Sequence, residues 1–359
     1  MARVCLNMIV KNETAIIERC LAAAAPHIDC YVICDTGSTD ATVEVIRRFF
    51  ERRGIPGRIP TTTFRNFEQA RNEALDAARG SDLEFDYILL CDADMELVVV
   101  RPGYRDELTE PAYWVVQQTA SGLAYENLRL VRRDVGARYR GVTHEYLEVP
   151  GVSRHSFDGI RFLDHAAGAN RANKFERDIA LLRQGLEQEP NNARYAFYLA
   201  NSYFDLGDTA RALEAYQRRL TMGGWAEELF YSSYRAGLCQ QRLGREADMI
   251  AGLLLTFEQF PHRAEPLHVL ALHSQQQGRH RLAYHFAEIG SHIPEPAGAL
   301  FVEREVYTWR LLDIMAVSLY YLGRRDEGLE LNRRILPLVP EAQRPRILKN
   351  MEFCGDRKG

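Results

Sequence analysis

The sequence predicts an α/β domain followed by an all-α domain of helical repeats. Two observations carry this. In the first half, short apolar runs alternate with amphipathic stretches, the pattern of a doubly wound sheet. In the second half, turn glycines, three of the four preceded by Leu, recur at a period near 34 residues, the spacing of stacked helix pairs. A length of 359 residues suits two domains. The break is expected near Gly168, giving domains 1–168 and 169–359.

The elements follow in order. Val4–Val10 is apolar and β-branched and reads as a buried first strand. Thr14–Ala25 has helical periodicity and stops at Pro26. Asp29–Cys34 is a second strand, running into Asp35-Thr36-Gly37-Ser38-Thr39-Asp40. Ala41–Arg53 is a helix with arginines in its last turn and Gly54 behind it. Arg58–Thr63 is a weak third strand, and Asn66–Arg79 a helix that stops at Gly80. Tyr87–Cys91 is a wholly apolar strand leading into Asp92-Ala93-Asp94. After Asp94, Ala112–Thr119, Leu128–Arg132 and Thr143–Val149 read as strands without a clear helix between them, so the sheet is expected to be mixed.

The repeats are marked by Leu206-Gly207, Leu243-Gly244, Gln277-Gly278 and Leu322-Gly323, with Pro261, Pro294 and Pro340 closing three of them. A mid-repeat glycine and a closing proline at this period form the tetratricopeptide (TPR) signature. Leu199, Ala200, Tyr203, Leu206, Gly207, Ala212 and Tyr216 fit its packing positions best. An insertion around Glu295–Glu303 lengthens the last step. Most aromatics here belong to the core. Gly223-Gly224-Trp225-Ala226-Glu227-Glu228, with Tyr231 and Tyr234, combines a flexible turn, carboxylates expected to be exposed and aromatics. It is therefore open to a ligand-facing role.

Composition excludes several classes. Hydrophobic residues at 46% and charged residues at 26% are ordinary for a globular protein and rule out disorder. A net charge of −4 argues against a nucleic-acid binder with a basic surface. No apolar run is long enough for a transmembrane segment, and the N-terminal run reads as a strand rather than a signal peptide. Seven scattered cysteines without a CxxC pair read as buried reduced thiols of a cytoplasmic protein.

The chemistry should lie where open α/β sheets bind ligands, at the carboxyl ends of the strands. Those ends carry Lys11-Asn12-Glu13, Asp35–Asp40 and Asp92-Ala93-Asp94. Two aspartates two apart on an extended segment point the same way and suit a hard cation, Mg²⁺ or Mn²⁺. The glycine-rich turn of dinucleotide enzymes, the P-loop and the GxSxG elbow are all missing from the sequence. Metal-assisted chemistry on a diphosphate ligand remains.

The runs CLNMIVKNE, CDTGSTDAT, FRNFEQARNEAL and LLCDADMEL, in this order, resemble the family 2 inverting glycosyltransferases. Gly141-Val142-Thr143-His144-Glu145 and Leu163-Asp164-His165 resemble a subgroup with TPRs behind the catalytic domain. Similar catalytic domains occur in S-glycosyltransferases that modify bacteriocin peptides. The resemblance implies a GT-A fold, Rossmann-like with a mixed sheet, ahead of a C-terminal TPR α-solenoid. It implies a UDP-sugar donor held by Val10, Lys11, Asn12, Glu13, Asp35, Asp40, Arg71, Asn72, Asp92 and Ala93. It implies a metal ion, Mn²⁺ or Mg²⁺, at Asp92, Asp94 and His165. His165 is equally open to a purely structural role.

The expected reaction is a single in-line displacement, with the metal stabilising the departing diphosphate. Glu145 is the expected base, with His144 orienting or replacing it; a structural role for Glu145 stays open. Arg132 and Arg133 fit either a phosphate contact or a solvated face. A groove formed by repeats suits a peptide or protein acceptor, with saccharide, lipid-linked and small-molecule acceptors as alternatives. Repeat faces can pair, which leaves a homo-oligomer open. Competing functions are nucleotidyl transfer and a TPR adaptor carrying an inactive transferase domain.

Overall fold

A computed structural model describes residues 1–119, 122, 124–167, 173–299 and 301–355. The chain divides into two units, Met1–Gln188 and Glu189–Gly359. Gly168, where the break was expected, lies outside the described residues.

The first unit is built on β1 (Val4–Val10), β2 (Cys30–Asp35), β3 (Gly57–Arg58), β4 (Tyr87–Leu90), β5 (Met95–Val99), β6 (Ala112–Thr119), β7 (Ala124–Arg132) and β10 (His155–Asp164). They form one sheet in the order β3-β2-β1-β4-β7-β6-β10-β5. β1 runs parallel to β2 and β4, whereas β7 is antiparallel to both β4 and β6. The sheet is therefore mixed, as the change of pattern after Asp94 predicts. Val4, Leu6 and Met8 face α1 (Ile17–Ala24) and α2 (Thr42–Glu51) on one side. Cys5, Ile88 and Leu90 face α3 (Phe67–Arg79) on the other. Burial on both faces is why these strands read as unbroken apolar runs.

Three strands escaped the sequence reading: β5, β10 and the short Arg138–Arg140. β5 pairs only with β10, a partner far along the chain, and β10 slips register between Phe157 and Arg161. Neither fact leaves a local pattern. The expected strand Thr143–Val149 shrinks to β9 (Tyr146–Glu148), paired with β8 (Arg138–Arg140) in a small separate sheet. The cause is backbone geometry: Gly141 has φ 113° and His144 φ 50°, neither compatible with extended chain. A Cβ at position 141 would also lie 3.3 Å from the Glu145 Cα. Helix α4 (Lys174–Gln188) closes this unit.

The second unit consists of helix pairs: α5 (Ala193–Leu206) with α6 (Thr209–Leu220), α7 (Ala226–Arg242) with α8 (Glu246–Gln259), α9 (Glu265–Gln276) with α10 (His280–Ser291), and α11 (Leu311–Tyr321) with α12 (Arg325–Ile335). α13 (Arg344–Gly355) follows. The turn glycines sit where foreseen, Gly207 at φ 87° and Gly323 at φ 80°, a left-handed conformation that favours glycine. This is the expected TPR-like all-α architecture.

The Gly223–Tyr234 stretch is a correction. Glu228 is buried and paired with Arg219 at 3.0 Å, so it is not an exposed carboxylate. Tyr231 stacks on Phe301 with centroids 4.1 Å apart, and the Tyr234 hydroxyl donates to Glu303 at 2.7 Å. The insertion supplies both partners, so these aromatics are covered by the chain itself. Trp225 stays half exposed.

Candidate active site

A cleft of about 490 Å³ opens at the carboxyl ends of β1 and β4. Ile9, Val10, Lys11 and Glu13 line it from the β1 exit, Phe67 and Arg71 from α3, and Asp92, Ala93 and Asp94 from the turn after β4. Lys174 and Arg177 of α4 complete it. Four cationic side chains thus face three carboxylates, an arrangement suited to an anionic ligand bound beside acids.

The Asp92–Asp94 segment is not extended. The Met95 N–H donates to the Asp92 carbonyl at 3.0 Å, closing a tight turn. Asp92 accepts from Arg71 at 2.7 Å and from Arg129 at 3.1 Å, one arginine on each oxygen. Burial pushes its carboxyl up, but the two guanidiniums outweigh this and hold it well below the usual carboxylate range. Asp94 lines the cleft, and its carbonyl accepts from the His165 N–H at 3.2 Å. The His165 ring, however, lies on Glu96, with Nε2 2.9 Å from the carboxylate. Among the described residues no group of three acidic, histidine or cysteine side chains is gathered for a metal ion. Asp92, Asp94 and His165 are brought close along the backbone but do not converge as a three-ligand set.

Arg71 is the centre of the site. Besides Asp92 it binds Glu145, with Nε 2.5 Å from the carboxylate, and it lies over the Tyr139 ring at 5.3 Å. Glu145 is mostly buried and does not line the cleft; it lines a second, smaller cavity that shares Arg71. His144 turns toward α4, with Nε2 3.9 Å from the buried Asp178. Arg71 thus holds the Glu145 carboxylate, whereas the sequence reading gave the orienting role to His144.

Several residues expected to touch a donor are hydrogen-bonded within the loops that shape the cleft. Asn12, in a left-handed conformation, binds Thr39 N–H through its side chain while its own N–H donates to Ser38 Oγ. Buried Asp35 accepts from the Gly37 and Ser38 N–H groups. Asp40 ties the start of α2 to the β1 exit: it accepts from Thr42 and from the Thr14 N–H. Burial works against its ionisation, but these hydrogen bonds prevail and lower it to about 2. Asn72 is spent on the backbone of Tyr139, donating to its carbonyl at 3.0 Å and accepting from its N–H at 2.9 Å. It clamps β8 to α3 and does not line the cleft. Arg133 caps carbonyls of Arg79, Ser81 and Leu83, and Arg132 pairs with Asp134, so neither reaches the cleft.

Sequence reasoning missed Lys174, Arg177, Asp178 and Arg129. Lysine is rare in this arginine-rich chain, and that rarity is the signal that could have drawn attention to Lys174. α4 is held to the Gly141–Glu145 loop by Asp178, whose carboxylate accepts from Thr143 Oγ1 and Arg177, both at 3.2 Å. From the other side the Phe67 N–H donates to Val142 and the Gly141 N–H to Glu68.

Residues 5–98 match the family model described as glycosyl transferase family 2. The matched segment, about a quarter of the chain, lies within the first unit. The β1 exit, the β2 exit, α3 and the Asp92–Asp94 turn all fall within the matched segment. A TPR repeat-containing protein of Synechococcus elongatus is 33% identical over 155 residues, 41% of this chain and 36% of that protein. The match spans about a third of the relative's length. Among solved structures, MamA from Desulfovibrio magneticus covers 52% of this chain and 90% of its own at 14% identity, with a TM-score of 0.36. YrrB, described as a TPR protein with an unusual peptide-binding site, covers 50% and 84% at 17% identity, with a TM-score of 0.38. No described helix is long and apolar enough to cross a membrane.

Proposed function

We propose that the protein is a metal-dependent inverting glycosyltransferase that moves a sugar from a UDP-sugar to an acceptor. The observation that carries this reading is the cleft itself. Lys11, Arg71, Lys174 and Arg177 line one cleft together with Asp94, at strand ends within the segment that matches the family 2 model. A nucleoside diphosphate requires such a site: cations for the phosphates and a carboxylate for a hard metal ion.

The residues fit Mn²⁺ or Mg²⁺ in a particular way. Asp94 is the carboxylate we assign to the ion, because it lines the cleft among the cationic side chains as the second acid of the Asp-x-Asp pair. A hard cation held by one protein carboxylate takes its other oxygens from phosphates and water. When bound, it would offset charge on the leaving diphosphate. Lys11, Lys174 and Arg177 meet the same charge from the cleft walls. Glu145 takes the acceptor proton as the acceptor heteroatom attacks the anomeric carbon, with Arg71 fixing its orientation. Arg71 thereby links the donor side, through Asp92, to the acceptor side.

The repeats are assigned to hold the carrier of the acceptor, a peptide or protein among the candidates. Seven buried cysteines, none in a disulfide, support a reducing, cytoplasmic setting.

The test is UDP release by the full chain over a panel of UDP-sugars with Mn²⁺, Mg²⁺ or EDTA. Release from one donor, lost with EDTA, is expected. Asp94→Ala should abolish it while circular dichroism stays unchanged. Wild-type turnover by Asp94→Ala, or release that ignores EDTA, would remove the assigned role.

A further inference from the structure

Within the second unit a pocket of about 130 Å³ lies between α11, α12 and α13. Val317, Tyr320 and Tyr321 line it from α11, and Phe353 and Cys354 from α13. Two carboxamides complete it, Asn332 of α12 and Asn350 of α13. We propose that this pocket binds the side chain of a tyrosine presented by a partner polypeptide. The proposal rests on the reading of the repeats as a polypeptide-binding unit and names the residue they recognise. It asks nothing of the transfer chemistry.

The carboxamides carry the argument. Asn332 is fully buried, and its Nδ2 donates to the Gly328 carbonyl at 2.8 Å. That bond assigns the amide and leaves Oδ1 as an acceptor for another donor. Asn332 Oδ1 and Asn350 Nδ2 are both buried, and among the described residues neither has a hydrogen-bond partner. Leaving such atoms unpaired is costly, so a pocket lined by one spare acceptor and one spare donor suits a ligand that supplies the complement. A single hydroxyl has both capacities: it donates to Oδ1 and accepts from Nδ2.

The remaining walls ask for a ring. An apolar cavity of about 150 Å³ takes up benzene, so this one matches a single phenyl-sized group. Tyr320 and Phe353 approach each other with centroids 6.4 Å apart, and aromatic walls pack a further ring well. The other side chains fail on one count each. Serine and threonine bring the hydroxyl without the ring. Phenylalanine fills the volume but leaves both amides unpaired, and tryptophan donates without accepting. Among the described residues no charged side chain lines the pocket, so the phosphate of a phosphotyrosine would be buried without a counter-charge.

The mouth points to a polypeptide rather than a free phenol. Asn332 forms the buried end, whereas Tyr321 and Phe353 are 62% and 50% exposed. Tyr321 is held in place by stacking on His280 with centroids 4.0 Å apart. These faces carry the apolar surface beyond what one ring can cover. The residues flanking a tyrosine in a chain would cover them, and a lone phenol would leave them in water.

The experiment is saturation-transfer NMR on the full chain. Its probes are the capped peptide Gly-Ser-Tyr-Ser-Gly, its phenylalanine, O-methyltyrosine and phosphotyrosine counterparts, and p-cresol. The tyrosine peptide should bind at least about fivefold more tightly than each counterpart, because the site pairs a hydroxyl that they lack or mask. It should also bind more tightly than p-cresol, and excess UDP with Mn²⁺ should not displace it. Asn350→Leu should remove the preference for tyrosine over phenylalanine, with a melting temperature no lower than wild type, because a buried unpaired donor is lost. Val317→Phe, which fills the pocket, should abolish saturation of the tyrosine ring. Equal binding of the tyrosine and phenylalanine peptides, or a preference unmoved by Asn350→Leu, would overturn the tyrosine assignment and leave the polypeptide reading standing. Binding of p-cresol as tight as that of the tyrosine peptide would overturn the polypeptide source. No saturation of any peptide would strike both the proposal and the polypeptide reading on which it rests.

Discussion

Arg71 shows how one side chain can organise a site. Its guanidinium spans two carboxylates on different elements, and planar multidonor geometry makes arginine, not lysine, suited to this. Asp92 gains the most. Two guanidiniums favour its ionised form, so its folded-state carboxyl lies below the unfolded value. The stability this contributes is fully present above the ordinary carboxylate range near pH 4 and is lost as pH falls through the folded value. Asp92→Asn should therefore cost about 2 kcal/mol at pH 7, where two arginines lose their partner. The gap between wild type and variant should narrow as pH drops from about 4 toward 2. Urea titrations across that range measure it; a gap constant with pH would mean that Asp92 is not the charged partner described. Strain gathers nearby as well. Asn12, His144 and Ala166 all have positive φ, and all lie in loops of the resemblance motifs or directly beside them.

At the level of elements, the cleft depends on α4. Its Lys174 and Arg177 enter the cleft wall while Asp178, one residue on, is buried against Thr143. Adjacent helix residues point about 100° apart, so the same turn can face ligand and loop at once. Asp178→Ala should leave a buried hydroxyl and a guanidinium short of an acceptor, costing about 2 kcal/mol. It should also loosen the helix that carries two cleft cations. A several-fold weaker UDP affinity by titration calorimetry is expected along with the lower melting temperature. Unchanged UDP affinity would separate α4 from the donor site. In the second unit the corresponding lesson is the insertion, which turns Tyr231 and Tyr234 from candidate ligand contacts into covered core.

For the whole molecule, the proposed donor site lies at one edge of the sheet in Met1–Gln188. A ligand that binds the native state stabilises it by about 2.7 kcal/mol at a hundred times its dissociation constant. For a unit of this size that corresponds to a rise of about 5–10 °C in melting temperature. UDP with Mn²⁺ should give such a rise in scanning calorimetry, and UDP with EDTA a much smaller one. Equal shifts in both conditions would argue that UDP binds without the metal.

The sequence by itself determined the class and order of the elements and the location of the cleft. β1, β2, β4 and α1 to α3 were legible because burial on one or two faces writes a local period into the chain. The turn glycines Gly207, Gly244, Gly278 and Gly323 were legible because left-handed backbone selects its residue locally. The motifs marked Lys11, Arg71, Asp92 and Asp94, all of which line the cleft. What each polar group does was decided only by tertiary structure. Asn72 and Asp35, expected as ligand contacts, hydrogen-bond to backbone. Asp92 looked like a metal ligand and is held by Arg71 and Arg129. Lys174 and Arg177 looked like the start of another domain and stand in the cleft wall. The physical reason is range. Hydrophobic period and turn chemistry act between near neighbours, whereas ion pairs and hydrogen bonds join whichever groups the topology brings within about 3 Å.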